Sequence, residues 1–542
     1  MKPIRVHHWL LPTLATLSVV FLRGLHADQP IVENYVGRQV PTAMVARNLE
    51  LGSGFLRPQL DTAPFPNLFL VEPPIYAQTV ATLRLGLPWR REIIGRWVSA
   101  VATGLAAWGL YGLVQRRDGS GAAIVAVLAF GLFPVTIRYG RAFQPDALML
   151  GLLVAGMRVW DDHEAEGGAL RRYAAWLLIA AGLAVKIVSA FVLIPLIVAI
   201  LRPPKAKKSL LVLTTLIPAL LWYSHAAKLM GEGSRASSDN ADLWVRSMGL
   251  AALFRPETWT ISGRFLFVRS FTPLGFALAA WGLFGRRGCD RLWRVWLAAT
   301  AAAFVLMAGK IHHEYYWMSL APVMVVGVAR AVYGGAMPFF TVSPRGRRQG
   351  EEAAVSGHVA VVSESMAGPP PHPDPLPQRE RGPEGNPRFG RARLARVFLF
   401  VAFATLGLFQ SRSTWSTPPE WRALDAAVEA CRRIADPNWG GPIFAAPEAL
   451  IGRMNARGFR LEVEPAARRR AAGEFGRSID TDDPLALLRF YRSRGARYVV
   501  DLWPVGEEPH RRLLHDAIRR RYNVIIDRDG VILAELIDQS AP

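Results

Sequence analysis

Residues 173–201 read YAAWLLIAAGLAVKIVSAFVLIPLIVAIL, a run of 29 residues whose only charge is Lys186. One continuous helix of that length would rise about 43 Å. It would also leave the following basic loop, Arg202-Pro203-Pro204-Lys205-Ala206-Lys207-Lys208, on the wrong face of a membrane. Two short legs, 173–185 and 187–201, turning at Lys186 satisfy both requirements. Working outward, nine further apolar runs fall near 9–22, 93–114, 121–137, 145–160, 209–224, 272–285, 292–309, 317–337 and 395–410. With the two legs they make about eleven membrane spans.

The short loops sort by charge. Gln115-Arg116-Arg117-Asp118, the Lys-rich loop 202–208 and residues 286–294 are basic, and residues 158–172 carry Arg158, Arg171 and Arg172 beside the flanking spans; Lys and Arg so placed orient all four to the cytoplasm. The stretches 23–92, 138–144, 225–271 and 310–316 then face outside. The 542 residues are 51% hydrophobic and 20% charged, with a formal net charge of +21. In a soluble chain that excess points to nucleic acid; here much of it lies in orienting loops, and no nucleic-acid module is present. Cys289 and Cys431 fall on opposite sides of the membrane, which excludes a disulfide between them.

Two segments break the membrane pattern. Residues 341–394, rich in Arg and Pro, cannot bury a core and read as a disordered cytoplasmic linker. Residues 411–542 read as a small soluble α/β domain on the extracytoplasmic side. Its helices are expected at 420–434 and 483–494, and its strands at 442–446, 496–502, 522–527 and 531–536, with a hairpin at Asp529-Gly530.

The first outside loop, 23–92, is far longer than a connection needs to be. It carries Asp28, Glu33, Arg38 and the run Val71-Glu72-Pro73-Pro74-Ile75-Tyr76. An acid just after a first span suits a general base acting on a lipid-borne substrate; solvated loop acids are the plainer alternative. Asp146 closes the next loop, Arg138-Tyr139-Gly140-Arg141-Ala142-Phe143-Gln144-Pro145, and opens a helix, where it could serve as an N-cap or face the bundle. Lys186 could reach the interface or neutralise a phosphate held there. The loop Lys310-Ile311-His312-His313-Glu314-Tyr315-Tyr316 offers His313 and Tyr316 for substrate orientation. It leaves a divalent metal ion open, although adjacent ligands seldom converge on one ion.

Taken in order, the acid-bearing loop, residues 38–48, Glu72 to Tyr76, Arg141 to Asp146, Gly182 to Lys186, and His313 to Tyr316 resemble a known family. It is that of the dolichyl-phosphate-mannose–protein mannosyltransferases and their bacterial relatives, the lipid A aminoarabinose transferases, on the type-C glycosyltransferase fold. The resemblance spans roughly residues 1–340. It implies an integral membrane glycosyltransferase that moves a sugar, with inversion, from a polyprenyl-phosphate donor to an extracytoplasmic lipid, glycan or protein acceptor. In those terms Glu33 or Asp28 is the base, Asp146 the second acid, and Lys186 with Arg38 or Arg141 the phosphate site. Members often show adjacent Asp-Glu before a Tyr, where this chain has the single acid of Glu33-Asn34-Tyr35. A bacterial inner membrane, with the site facing the periplasm, is the expected location. A multi-span transporter or lipid flippase is the alternative, against which the long first loop and the lack of an internal repeat both speak.

Overall fold

The computed structural model describes residues 9–31, 36–203, 205–232, 235–248, 250–285, 289–333, 387–417, 422–432, 434, 443–502, 508–528 and 530–538. The expected linker therefore lies mostly outside the described residues.

Among the described residues each apolar run is helical over most of its length. The amino-terminal half comprises α1 (Leu10–Gly24), α2 (Val36–Glu50), α3 (Ile75–Gly86), α4 (Arg91–Asp118), α5 (Ser120–Leu132), α6 (Pro134–Tyr139), α7 (Asp146–Glu166) and α8 (Ala169–Val185). By length and composition, four helices can cross a membrane: α4, Lys205–Leu229, Glu314–Tyr333 and Leu394–Trp415. Pro256–Ser270 and Pro273–Phe284, bent by 94°, make a fifth as a pair. Several other runs form shorter helices, among them α1, α5 and Ile187–Ile200. Residues 225–271, expected as an outside loop, instead carry the helices Arg235–Ser247 and Pro256–Arg264.

Ion pairs fix the path of residues 173–201. Asp146, the first residue of α7, holds the Lys186 ammonium at 2.6 Å. Near the other end of the same helix, Glu164 accepts from the Arg202 backbone (3.0 Å) and pairs with Lys208 (2.7 Å). Those ends of α7 lie roughly 27 Å apart, so the chain climbs along α8, turns at Lys186 and returns. The expected two legs are present. The second leg is irregular, a 3₁₀ turn over Ile187–Val192 and a π turn over Leu196–Ile200 flanking Pro195.

The basic loops gather at one end of the bundle, where Arg117 meets Asp161 (3.0 Å) and Asp290 (3.3 Å), Arg158 meets Asp162 (2.9 Å) and Arg330 meets Asp118 (2.6 Å). Glycines let α4 and α7 approach closely. A Cβ on Gly151 would sit 2.4 Å from the Ala102 carbonyl oxygen. Arg23 is fully buried and donates to the carbonyls of Gly131 and Thr136, on either side of the break at Pro134.

Beyond the last helix of the bundle, Pro387–Ser411, five strands form a sheet of order β4-β3-β5-β7-β6. They are β3 (Ile443–Ala446), β4 (Gly458–Arg460), β5 (Ala496–Leu502), β6 (Tyr522–Arg528) and β7 (Val531–Asp538), after the short loop pair β1 (Gln59–Leu60) and β2 (Asn67–Leu68). β3 is parallel to β4 and β5, while β7 is antiparallel to β5 and β6. Four of the five strands lie where the sequence predicts them. β4 is the addition, three residues long.

Candidate active site

A cavity of ≈ 920 Å³ opens at the end of the bundle opposite the basic loops. Its walls come from the first loop and α2 (Arg38, Glu72), the turn at Lys186, helix Arg235–Ser247 (Trp244) and the loop Lys310–Tyr316. Segments distant in sequence meet there because α7, α8 and Ile187–Ile200 all end or turn at this level.

Lys186 reaches the cavity, and Asp146 lies behind it in an adjoining pocket of ≈ 20 Å³; the two are 6% and 2% exposed. Asp146 is the first helical residue and Pro145 takes the N-cap position, so the capping role does not hold. The carboxylate still lies at the positive end of the helix. Its Oδ1 receives Lys186 Nζ, and its Oδ2 is buried with no hydrogen-bond partner. Lys186 adopts an extended backbone (φ −160°, ψ 97°) and lays its ammonium over the rings of Tyr315 (4.4 Å) and Tyr316 (5.0 Å). It therefore does not snorkel to a surface. Ring faces stabilise a desolvated cation by about 2 kcal/mol.

At the rim Arg38 pairs with Glu72 and lies over the Phe69 ring (5.6 Å). Lys310 is a third cation, 3% exposed, its Nζ 5.0 Å from the centre of the Trp244 ring. No carboxylate among the described residues pairs with it, and burial lowers its pKa. His313 stacks on Tyr315 at 5.4 Å. Burial, then the nearby charges of His312, Lys310, Lys186 and Arg38, lower its pKa to about 3, so it is neutral.

Five of the expected residues thus share one cavity, Arg38, Glu72, Lys186, His313 and Tyr316, and Asp146 lines the adjoining pocket, which shares Lys186 and Tyr316 with it. Two others appear in neither. Asp28 is exposed, and its backbone carbonyl accepts from Arg90 (3.1 Å). Arg141 is buried away from the cavity, where its guanidinium donates to the carbonyls of Thr414 and His26, both at 2.7 Å. Glu33 lies outside the described residues. Glu314 turns away from His312 and His313 to pair with Arg138 and Arg269, the latter at 3.0 Å. Among the described residues no set of three or more His, Cys, Asp or Glu could hold a metal ion. Lys310 and Trp244 are the residues that sequence reasoning missed. A lone lysine closing an apolar helix was the available signal for the first.

Residues 73–226, from just after Glu72 through both legs at Lys186, match the family described as dolichyl-phosphate-mannose-protein mannosyltransferase. No curated protein sequence matches the chain. Among solved structures it is similar to ArnT from Cupriavidus metallidurans bound to undecaprenyl phosphate. The TM-score is 0.59 at 11% identity, covering 98% of this chain and 99% of that one. It is also similar to the archaeal oligosaccharyltransferase AglB from Archaeoglobus fulgidus, solved with an inhibitory peptide and a dolichol-phosphate. There the TM-score is 0.50 at 11% identity, covering 99% of this chain and 75% of that one. The expected relationship is borne out: the chain matches a family of membrane glycosyltransferases over residues 73–226 and has their helical type-C fold over nearly its whole length.

Proposed function

We propose that this glycosyltransferase moves a sugar from a polyprenyl-phosphate donor to an extracytoplasmic acceptor, with inversion and with Asp146 as base. The observation that carries the reading is the charge pattern of the cavity. Arg38 and Lys186 are each matched by a carboxylate, His313 is neutral, and Lys310 is unmatched. Among the described residues the walls therefore hold one excess positive charge. A sugar phosphodiester brings one negative charge, and Lys310 is its partner.

Transfer follows from these groups. An acceptor hydroxyl attacks the anomeric carbon, the bond from that carbon to the phosphate oxygen breaks, and the hydroxyl proton passes to Asp146 Oδ2. The departing phosphate gains a second negative charge. Once protonated, Asp146 no longer needs Lys186, which is then free to turn to that phosphate. Positive charge aimed at the place where negative charge develops usually lowers the barrier of such a reaction more than any other single effect. Arg38 and Glu72 border the sugar, and Tyr315 and Tyr316 exclude water around Lys186. Asp28 is exposed, so we assign it no role, and Asp146 takes the role expected of the first-loop acids.

A second cavity, ≈ 500 Å³ and lined by Trp259, Phe267, Phe284, Phe304 and Trp317, offers an apolar wall suited to a polyprenyl chain. In this reading the basic end faces the cytoplasm, the cavity and the domain 411–542 face the periplasm, and the bundle crosses a bacterial inner membrane about eleven times. The test is release of polyprenyl phosphate from labelled donors by the purified chain. Loss of release in Lys310→Met and Asp146→Asn supports the assignment; release undiminished in both overturns it.

A further inference from the structure

The structure assigns the carboxy-terminal domain a positioning role in transfer: it grips α2 and so sets Arg38 at the cavity rim. This rests on the reading of the cavity given above. Arg38 lies in the first turn of α2, paired with Glu72. The rest of the helix is held from the other side at three points, each belonging to, or tied to, the segment 448–458.

The first grip is steric. Helix Glu448–Met454 packs on α2 so closely that a Cβ on Gly452 would lie 2.9 Å from Val40 Cγ1, and Val40 is two residues from Arg38. Val40 and Met44 share one apolar cluster with Phe444, Leu450 and Ile451 of the domain. The second grip is a strand addition. Gly458 of β4 donates to the Asp61 carbonyl (2.9 Å) and accepts from the Ala63 amide (2.8 Å), so the loop extends the sheet by one short edge. The Asp61 side chain in turn holds Arg47 (2.6 Å) and Asn48 (3.2 Å) of α2. The third is ionic. Arg91 clasps Glu50, the last residue of α2, through two 2.8 Å bonds and also donates to Asn455 (2.9 Å). Next to it Arg453 pairs with Glu92 (2.9 Å).

A helix fixed at both ends and along one face cannot tilt without shifting Arg38. In the reading above Arg38 borders the sugar, so a shift of its guanidinium weakens donor binding and shows in KM more than in kcat. The domain therefore acts on donor binding through Arg38, without touching the reacting atoms.

The test uses the full chain in detergent. Gly452→Val forces the contact with Val40, and Gly452→Val with Val40→Ala relieves it. Arg453→Met loosens the ionic grip without a clash. Two readouts are taken: donor KM and kcat, and hydrogen exchange of residues 36–50. Gly452→Val and Arg453→Met should raise donor KM about tenfold with kcat changed less than threefold and faster exchange over 36–50. The Val40→Ala partner should restore KM to within threefold. Unchanged KM in both single variants, or a fall in unfolding midpoint with neither KM nor exchange altered, overturns the proposal and leaves the domain a stabiliser only. If the unaltered chain turns over no polyprenyl-phosphate sugar, the transfer reading fails and exchange decides alone: faster exchange confined to 36–50 keeps the grip, and unchanged exchange removes it.

Discussion

Removing charges from the Asp146–Lys186 pair separates its structural from its chemical role. Both side chains are buried, and their 2.6 Å contact is the only ion pair described for either. Lys186→Met leaves a carboxylate alone at that depth, a loss of about 3–5 kcal/mol. Asp146→Asn leaves the ammonium over Tyr315 and Tyr316, whose faces offset about 2 kcal/mol of the same penalty. Its loss should therefore be smaller, about 1–3 kcal/mol. The double variant buries neither charge and should return to within about 1 kcal/mol of the parent. Turnover should not return. Release of polyprenyl phosphate should stay down by about 100- to 10,000-fold in the two variants that lack the base, and should fall in Lys186→Met, which lacks the cation for the departing phosphate. Denaturant unfolding followed by tryptophan fluorescence gives the first quantity, and labelled-donor release the second. Additive destabilisation in the double variant would refute the pair as an energetic unit. Release in the double variant within tenfold of the parent would refute the catalytic role.

Other outcomes follow from the same geometry. Lys310→Met should raise donor KM at least tenfold while leaving stability equal or higher, because the buried ammonium has no carboxylate to lose. Donor affinity should also fall as pH rises through the lowered Lys310 pKa, which a titration of KM against pH would show. His313 stays neutral down to about pH 3, so the kcat profile between pH 5 and 8 should be the same in His313→Gln. Because its folded pKa lies below the unfolded value, its contribution to stability is present above about pH 6.5 and is lost as pH falls toward 3. Arg141→Met should lower the unfolding midpoint without moving donor KM, since its guanidinium serves the carbonyls of Thr414 and His26.

Hydropathy located the helices, since the apolar runs fold as helices, of which four, or five with the bent pair, are long enough to cross a membrane. Lys186 was readable as a turn because a single helix through it breaks the alternation of basic loops, and Glu164 with Arg202 bears this out. Asp146 and Glu72 were readable as candidates because each sits beside a proline at the mouth of an apolar helix. Asp28 and Arg141 lie away from the cavity, and a common reason kept this from being read. Charge alone does not tell whether a group reaches a cavity, solvent or the free carbonyls at helix ends. Lys310 was overlooked beside the more conspicuous His312 and His313. The helices within 225–271 went unread because their mixed polarity shows neither a membrane run nor a strong turn signal. The docking of the carboxy-terminal domain on α2 has no local signature, since Gly452 and Val40 lie about 400 residues apart and meet only in the fold.

The central claim, that the cavity breaks a sugar–phosphate bond of a polyprenyl lipid, is tested by one measurement. Purified protein in detergent would be given a panel of radiolabelled polyprenyl-phosphate sugars, with Asp146→Asn and Lys310→Met alongside, and scored for free polyprenyl phosphate. The account predicts release from at least one donor, abolished in Asp146→Asn and restored at high donor concentration in Lys310→Met. No release and no binding from any donor by a folded chain would contradict it, and lipid flipping in liposomes would then be the activity to measure.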